Sequence, residues 1–85
     1  MRLDKYLKLS RVIKRRTLAK EIIDIGLVTI NEKVAKPSSE VNEGDILCLT
    51  LGERVLTIKV CNILANASKK DSKEMFEVIK DEKKQ

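Results

Sequence analysis

The chain has 85 residues, 42% of them apolar and 36% charged, and 18 Lys and Arg against 13 Asp and Glu give a net charge of +5. This is the size of one small domain, which excludes a multidomain enzyme, and its apolar runs fall far short of the roughly 20 residues of a membrane helix. It holds no histidine, no tryptophan, one tyrosine and one phenylalanine, so the commonest general base and most stacking platforms are missing and the available chemistry is mainly charge.

The charge is unevenly placed. Arg2, Lys5, Lys8, Arg11, Lys14, Arg15, Arg16 and Lys20 stand against Asp4 alone within residues 1–20, a regional charge of +7 that leaves −2 for the remainder. A one-signed field at one end of a small domain attracts a polyanion, with nucleic acid the usual partner and an anionic membrane surface the competing target. The first 16 residues spread their charges throughout and lack the apolar core of a secretory signal. A cytosolic location is expected.

At about 100° per residue, Leu3, Tyr6, Leu7 and Ser10 share one side of a short amphipathic helix, and Asp4, Lys8 and Arg11 lie opposite. Asp4 falls in the first turn, where a negative charge suits the helix dipole, and is expected as a structural acid forming a weak surface pair with Lys8. A second helix is expected over Arg15 to Ile25, with Leu18, Ala19, Ile22, Ile23 and Ile25 on its core side, Arg16, Thr17, Lys20, Glu21 and Asp24 outside, and Gly26 as its stop. Lys14 precedes that helix in place of a capping residue. Its first-turn amides, its dipole, Arg16 and Lys20 together suit a phosphate.

After Gly26 the apolar period changes to two. Leu27 to Ile30 reads as a strand turned by Asn31-Glu32-Lys33 into Val34-Ala35-Lys36, followed by a loop at Pro37 to Glu40 and a turn at Asn42 to Asp45. A hairpin then joins Ile46 to Leu51 with Arg54 to Ile63 through Gly52-Glu53. Placing Leu51 opposite Arg54 puts Leu47, Leu49, Leu51, Leu56, Ile58 and Val60 on the core face. It puts Ile46, Cys48, Thr50, Val55, Thr57, Lys59 and Cys61 on the other. In this register Cys48 lies opposite Thr57, about 13 Å along the strand from Cys61 at the usual rise, too far for a disulfide. Both cysteines are therefore expected to be reduced, and two thiols without histidine form neither a structural zinc site nor a Cys/His nucleophile. No metal, cofactor or catalytic residue is expected.

Ser68 to Asp71 has the form of a helix start. Either a helix continues to Ile79, or a helix of one to two turns ends near Met75 and a short strand follows; the second is the preferred reading. Residues 80–85 are polar and without an apolar anchor, and are expected to form a disordered tail to a single domain spanning residues 1–79.

Arg2-Leu3-Asp4-Lys5-Tyr6-Leu7, Lys14 to Ile23, Gly26 to Asn31, Ala35 to Ser38, Val41 and Gly44-Asp45 resemble the S4 RNA-binding domain over residues 2–51. More narrowly, the run Arg2 to Glu21, with the hairpin extension over residues 46–63 and the ending Lys70 to Phe76, resembles its stand-alone branch, which includes the fifteen-kilodalton bacterial heat-shock protein and the ribosome-associated quality-control P protein family, RqcP. The resemblance implies an α+β fold: two amino-terminal helices on a small, mostly antiparallel sheet with a hairpin extension and a short carboxy-terminal helix.

It also implies a monomeric, non-enzymatic protein that binds large-subunit ribosomal RNA and P-site tRNA on obstructed large ribosomal subunits. There it would support a partner that adds carboxy-terminal alanines to stalled chains. Matched by position, Arg16 is the leading RNA contact; Arg2, Lys5, Lys8, Arg11, Lys14, Arg15 and Lys20 extend the surface, and Lys33 and Lys36 border it. Arginine's planar fork favours Arg16 over the lysines for bidentate phosphate contact, and recognition of structured RNA is expected to be largely by shape. Glu32 departs from the glycine common after the turn asparagine, which puts a two-residue turn in question. A general ribosomal-RNA or assembly factor, and a DNA-binding regulator built on a helix-turn-helix-like pair, remain as alternatives.

Overall fold

The computed structural model describes residues 1–63 and 71–83. The first helix, α1 (Leu3–Leu9), buries Leu3, Tyr6 and Leu7, as the spacing of its apolar residues predicts. It ends two residues before Arg11, which adopts a φ of 61° and donates its amide to the Lys8 carbonyl at 3.1 Å. Arg11 therefore stands just past the helix and not on its exposed face. Ile13, 4% exposed, then brings the chain back to the core.

The second helix, α2 (Arg16–Asp24), stops at Gly26, whose φ of 84° suits a residue without a side chain. The Leu27 amide bonds to the Ile22 carbonyl and the Gly26 amide to Ile23, both at 3.0 Å, the paired bonds of a Schellman stop. Ala19 and Ile23 are buried, but Leu18 is 47% and Ile25 71% exposed, which corrects the wider core side expected. The helix packs on α1, and the residues one turn apart that face this neighbour are covered while the edges of the apolar stripe are not.

Five antiparallel strands form one sheet in the order β2-β1-β3-β4-β5: β1 (Val28–Ile30), β2 (Lys33–Val34), β3 (Ile46–Leu51), β4 (Arg54–Val60) and β5 (Phe76–Lys83). Ile30 pairs with Lys33, so Asn31 and Glu32 alone make the first turn. Both take positive φ, 50° and 72°, the conformation of a tight hairpin turn. The two-residue turn thus survives the loss of glycine. The Asn31 side chain holds it, accepting from the Ile46 amide at 2.9 Å and donating to Asp45 at 3.1 Å.

β3 and β4 pair with Leu51 opposite Arg54 and Cys48 opposite Thr57, as expected. Leu47, Leu49, Leu56, Ile58 and Val60 are buried, Leu51 is half-buried, and both cysteines are free. Each well-buried aliphatic side chain here contributes about 1.5–3 kcal/mol. β4 ends at Val60, short of the Ile63 expected, because the amides of Cys61 and Asn62 both turn to the Met75 carbonyl, at 2.9 and 3.3 Å.

The expected carboxy-terminal helix is one 3-10 turn, Asp71–Glu74; its proposed start at Ser68 lies outside the described residues. A strand does follow Met75, and it is longer than expected. Residues 80–83 are not a disordered tail: they pair with Arg54 to Thr57, and Arg54 holds Asp81 through two guanidinium nitrogens. Polar composition predicts disorder here, but edge-strand pairing is made by the backbone and leaves exposed side chains free to be charged.

Candidate nucleic-acid interface

Where α1 meets the loop after β2, backbone bonds fix the start of the helix. The Leu3 amide donates to the Ser39 carbonyl at 2.8 Å and the Asp4 amide to Pro37 at 3.2 Å, while the Val41 amide donates to Met1 at 2.9 Å. Arg2 occupies the N-cap position with no side-chain cap bond. The side of α1 that helical periodicity assigns to solvent is not uniformly exposed: Lys8 is, Asp4 is not. Asp4 is fully buried and does not pair with Lys8.

Its carboxylate instead accepts from three donors: the Lys5 amide at 2.8 Å, Arg2 Nη2 at 3.3 Å and Arg16 Nη2 at 3.4 Å. Burial alone would raise the carboxyl's proton affinity. The Arg16 hydrogen bond, the Lys5 amide and the two guanidinium charges outweigh it and hold Asp4 below the usual aspartate range. Asp4 is the site residue whose role helical periodicity misses. The pattern that signals it is the acid between Arg2 and the arginine that opens α2, a tertiary pairing across 12 positions.

All ten cations expected at the RNA surface are exposed. Asp4 draws Arg2 and Arg16 together, with side chains 50% and 46% exposed, so both arginines reach solvent while sharing one buried anion. Lys20 follows Arg16 by one turn, and Lys5 follows Asp4. Lys36 adjoins through the loop, its amide bonded to Ser39 Oγ at 2.9 Å. Lys8 lies farther along α1, Arg11 beyond its end, and Lys14 and Arg15 lead into α2, whose N-cap Arg15 makes no side-chain cap bond. Lys33 sits on the short edge strand β2, and no side-chain bond among the described residues ties it to this group. Arg2 and Arg16 are the only two of the ten in an ion pair among the described residues.

Such a surface offers two guanidinium groups held on one carboxylate together with further exposed ammonium and guanidinium groups, a combination suited to phosphate oxygens. Among the described residues no group of His, Cys, Asp or Glu has the arrangement of a metal site, and no helix is long and apolar enough to cross a membrane.

The S4 domain family matches residues 1–47. A protein of Listeria monocytogenes serovar 1/2a named RQC P-site tRNA stabilizing factor is 46% identical over 83 residues, covering 98% of this chain and 90% of its own. Its namesake in Bacillus subtilis strain 168 is also 46% identical over 83 residues, covering 98% and 96%. Among solved structures, the trimeric heat shock protein 15 of Vibrio cholerae superposes with a TM-score of 0.84 at 30% identity, covering 92% of this chain and 80% of that one.

Proposed function

The chain belongs to the S4 domain family and, within it, to the RQC P-site tRNA stabilizing factors, and from this premise we propose how its cationic surface serves that role. It is an RNA-binding protein of ribosome-associated quality control that stabilises tRNA in the P site. The observation that carries the structural side is the meeting of Arg2 and Arg16, from two separate helical segments, at one buried carboxylate. The eight other cations lie exposed around and beyond them.

In this reading Arg16 and Arg2 take phosphates through their outward-facing nitrogens. Lys5, Lys8, Arg11, Lys14, Arg15 and Lys20 add the surrounding field, with Lys36 and Lys33 at its border. The uncapped first turn of α2 adds amide donors beside Arg15 and Arg16. Folded RNA presents phosphates and hydroxyls in a fixed shape, which rigid arginines read better than flexible lysines.

The protein acts as a monomer in the cytoplasm, without catalysis of its own, on large ribosomal subunits that still carry tRNA. It contacts large-subunit ribosomal RNA beside the tRNA, while a separate factor extends the stalled chain with alanines. Sedimentation of large subunits from cells under translation stress tests this. The protein is expected with tRNA-bearing particles; migration with tRNA-free assembly intermediates would instead support a general assembly factor.

A further inference from the structure

We propose that Asp4 is a positioning residue for RNA binding: its buried carboxylate holds the guanidinium forks of Arg2 and Arg16 at a fixed separation, ready for adjacent phosphates. The inference rests on the reading of Arg2 and Arg16 as RNA contacts. An acid in the middle of a polyanion-binding surface is otherwise paradoxical, because its charge opposes the ligand. Three features resolve the paradox.

Asp4 is wholly buried, and of the charged groups bonded together here only the two guanidinium groups reach solvent. Each arginine uses one Nη2 on Asp4, at 3.3 and 3.4 Å, which leaves each fork with further N–H donors. The two side chains are about half exposed, so those donors reach the surface. The Lys5 amide fixes the carboxylate itself at 2.8 Å, and the bonds of the α1 start to Pro37 and Ser39 fix the backbone beneath it. The result is an anchored anion with two cations hinged on it. Flexible side chains lose rotamer freedom on being immobilised in a complex; Arg2 and Arg16 have lost much of theirs before RNA arrives.

The proposal makes a prediction opposite in sign to simple electrostatics. Asp4→Asn raises the net charge by one, which on charge alone strengthens binding of a folded tRNA roughly twofold. Loss of positioning weakens it instead, by roughly tenfold for two arginines released together. The test is a titration of tRNA at several salt concentrations against wild type, Asp4→Asn, Arg2→Ala/Arg16→Ala and the triple variant, each checked for its folded fraction by circular dichroism. Asp4→Asn is expected to weaken binding in the wild-type background and to strengthen it slightly once both arginines are gone. Strengthening in both backgrounds overturns the proposal. Full affinity of the double-alanine variant overturns the underlying reading of the site, a separate outcome.

Should Asp4→Asn fail to fold, the wild-type protein supplies the decision. The 15N relaxation of the arginine Nε–H groups is expected to show Arg2 and Arg16 more rigid than Arg11 and Arg15. Equal mobility of all four overturns the proposal.

Discussion

The Tyr6 hydroxyl donates to the Met75 carbonyl at 2.6 Å, joining α1 to the segment that opens β5 across 69 positions of sequence. The same carbonyl accepts from the amides of Cys61 and Asn62. One acceptor therefore ties α1, the end of β4 and the start of β5. Tyr6→Phe removes one of three donors and leaves the carbonyl bonded, so the expected loss is about 1 kcal/mol, read as a lower urea midpoint, with faster hydrogen exchange along β5.

Alkali acts on the same residue. Burial, with a smaller contribution from Cys61, raises the Tyr6 hydroxyl well above its ordinary 10.0. A group that holds its proton more tightly when folded adds stability below its unfolded value and loses it as pH rises toward the folded value. Stability is expected to fall from about pH 10 upward in wild type and to fall less steeply in Tyr6→Phe, as measured by thermal melts over that range.

Asp4 has the opposite sign. Its carboxyl is held below the ordinary 3.8, so its contribution is complete above that value and disappears as pH falls through the lower, folded one. The stability difference between wild type and Asp4→Asn is expected to be constant near neutrality and to shrink below about pH 4. Urea unfolding from pH 2 to 7 provides the comparison; a difference that stays constant down to pH 2 contradicts it.

Arg16→Ala carries two effects. The expected loss of RNA affinity is joined by about 1 kcal/mol of stability, since Asp4 remains buried with only Arg2 and the Lys5 amide. The helical period places Arg16 on a solvated face, where no such stability loss is expected; its bond to Asp4 changes that. Arg15→Ala, which breaks no side-chain bond among the described residues, is expected to lower affinity while leaving the melting temperature unchanged.

The contrast shows where the sequence was legible. Local rules reached the β3–β4 register, because a two-residue turn at Gly52-Glu53 fixes which residues face each other, and they reached the Gly26 stop. They did not reach the burial of Asp4, whose carboxylate is met by an arginine 12 positions away, or the exposure of Leu18 and Ile25, which depends on how α2 packs. Polar residues 80–83 looked unstructured because composition registers side chains, whereas β4 supplied a backbone partner. The exposure of the ten cations is legible because Lys and Arg reach solvent without tertiary information; the ordering of two of them by Asp4 is not.

Glu32 offers a test of the turn. With φ at 72° it pays a left-handed penalty of about 1–2 kcal/mol that glycine avoids, offset in part by glycine's greater freedom in the unfolded chain. Glu32→Gly is expected to stabilise by about 0.5–1 kcal/mol, a rise in melting temperature of a few degrees for a domain of this size.

The central claim is that RNA lies across the paired starts of α1 and α2, and amide chemical-shift mapping during titration with a folded tRNA addresses it directly. The largest changes are expected at Arg2 to Lys5, Lys14 to Lys20 and the adjoining Lys36 to Ser39 loop, with the Gly52-Glu53 turn silent. Changes concentrated on that turn and on β5, with the helix starts unmoved, would contradict the account.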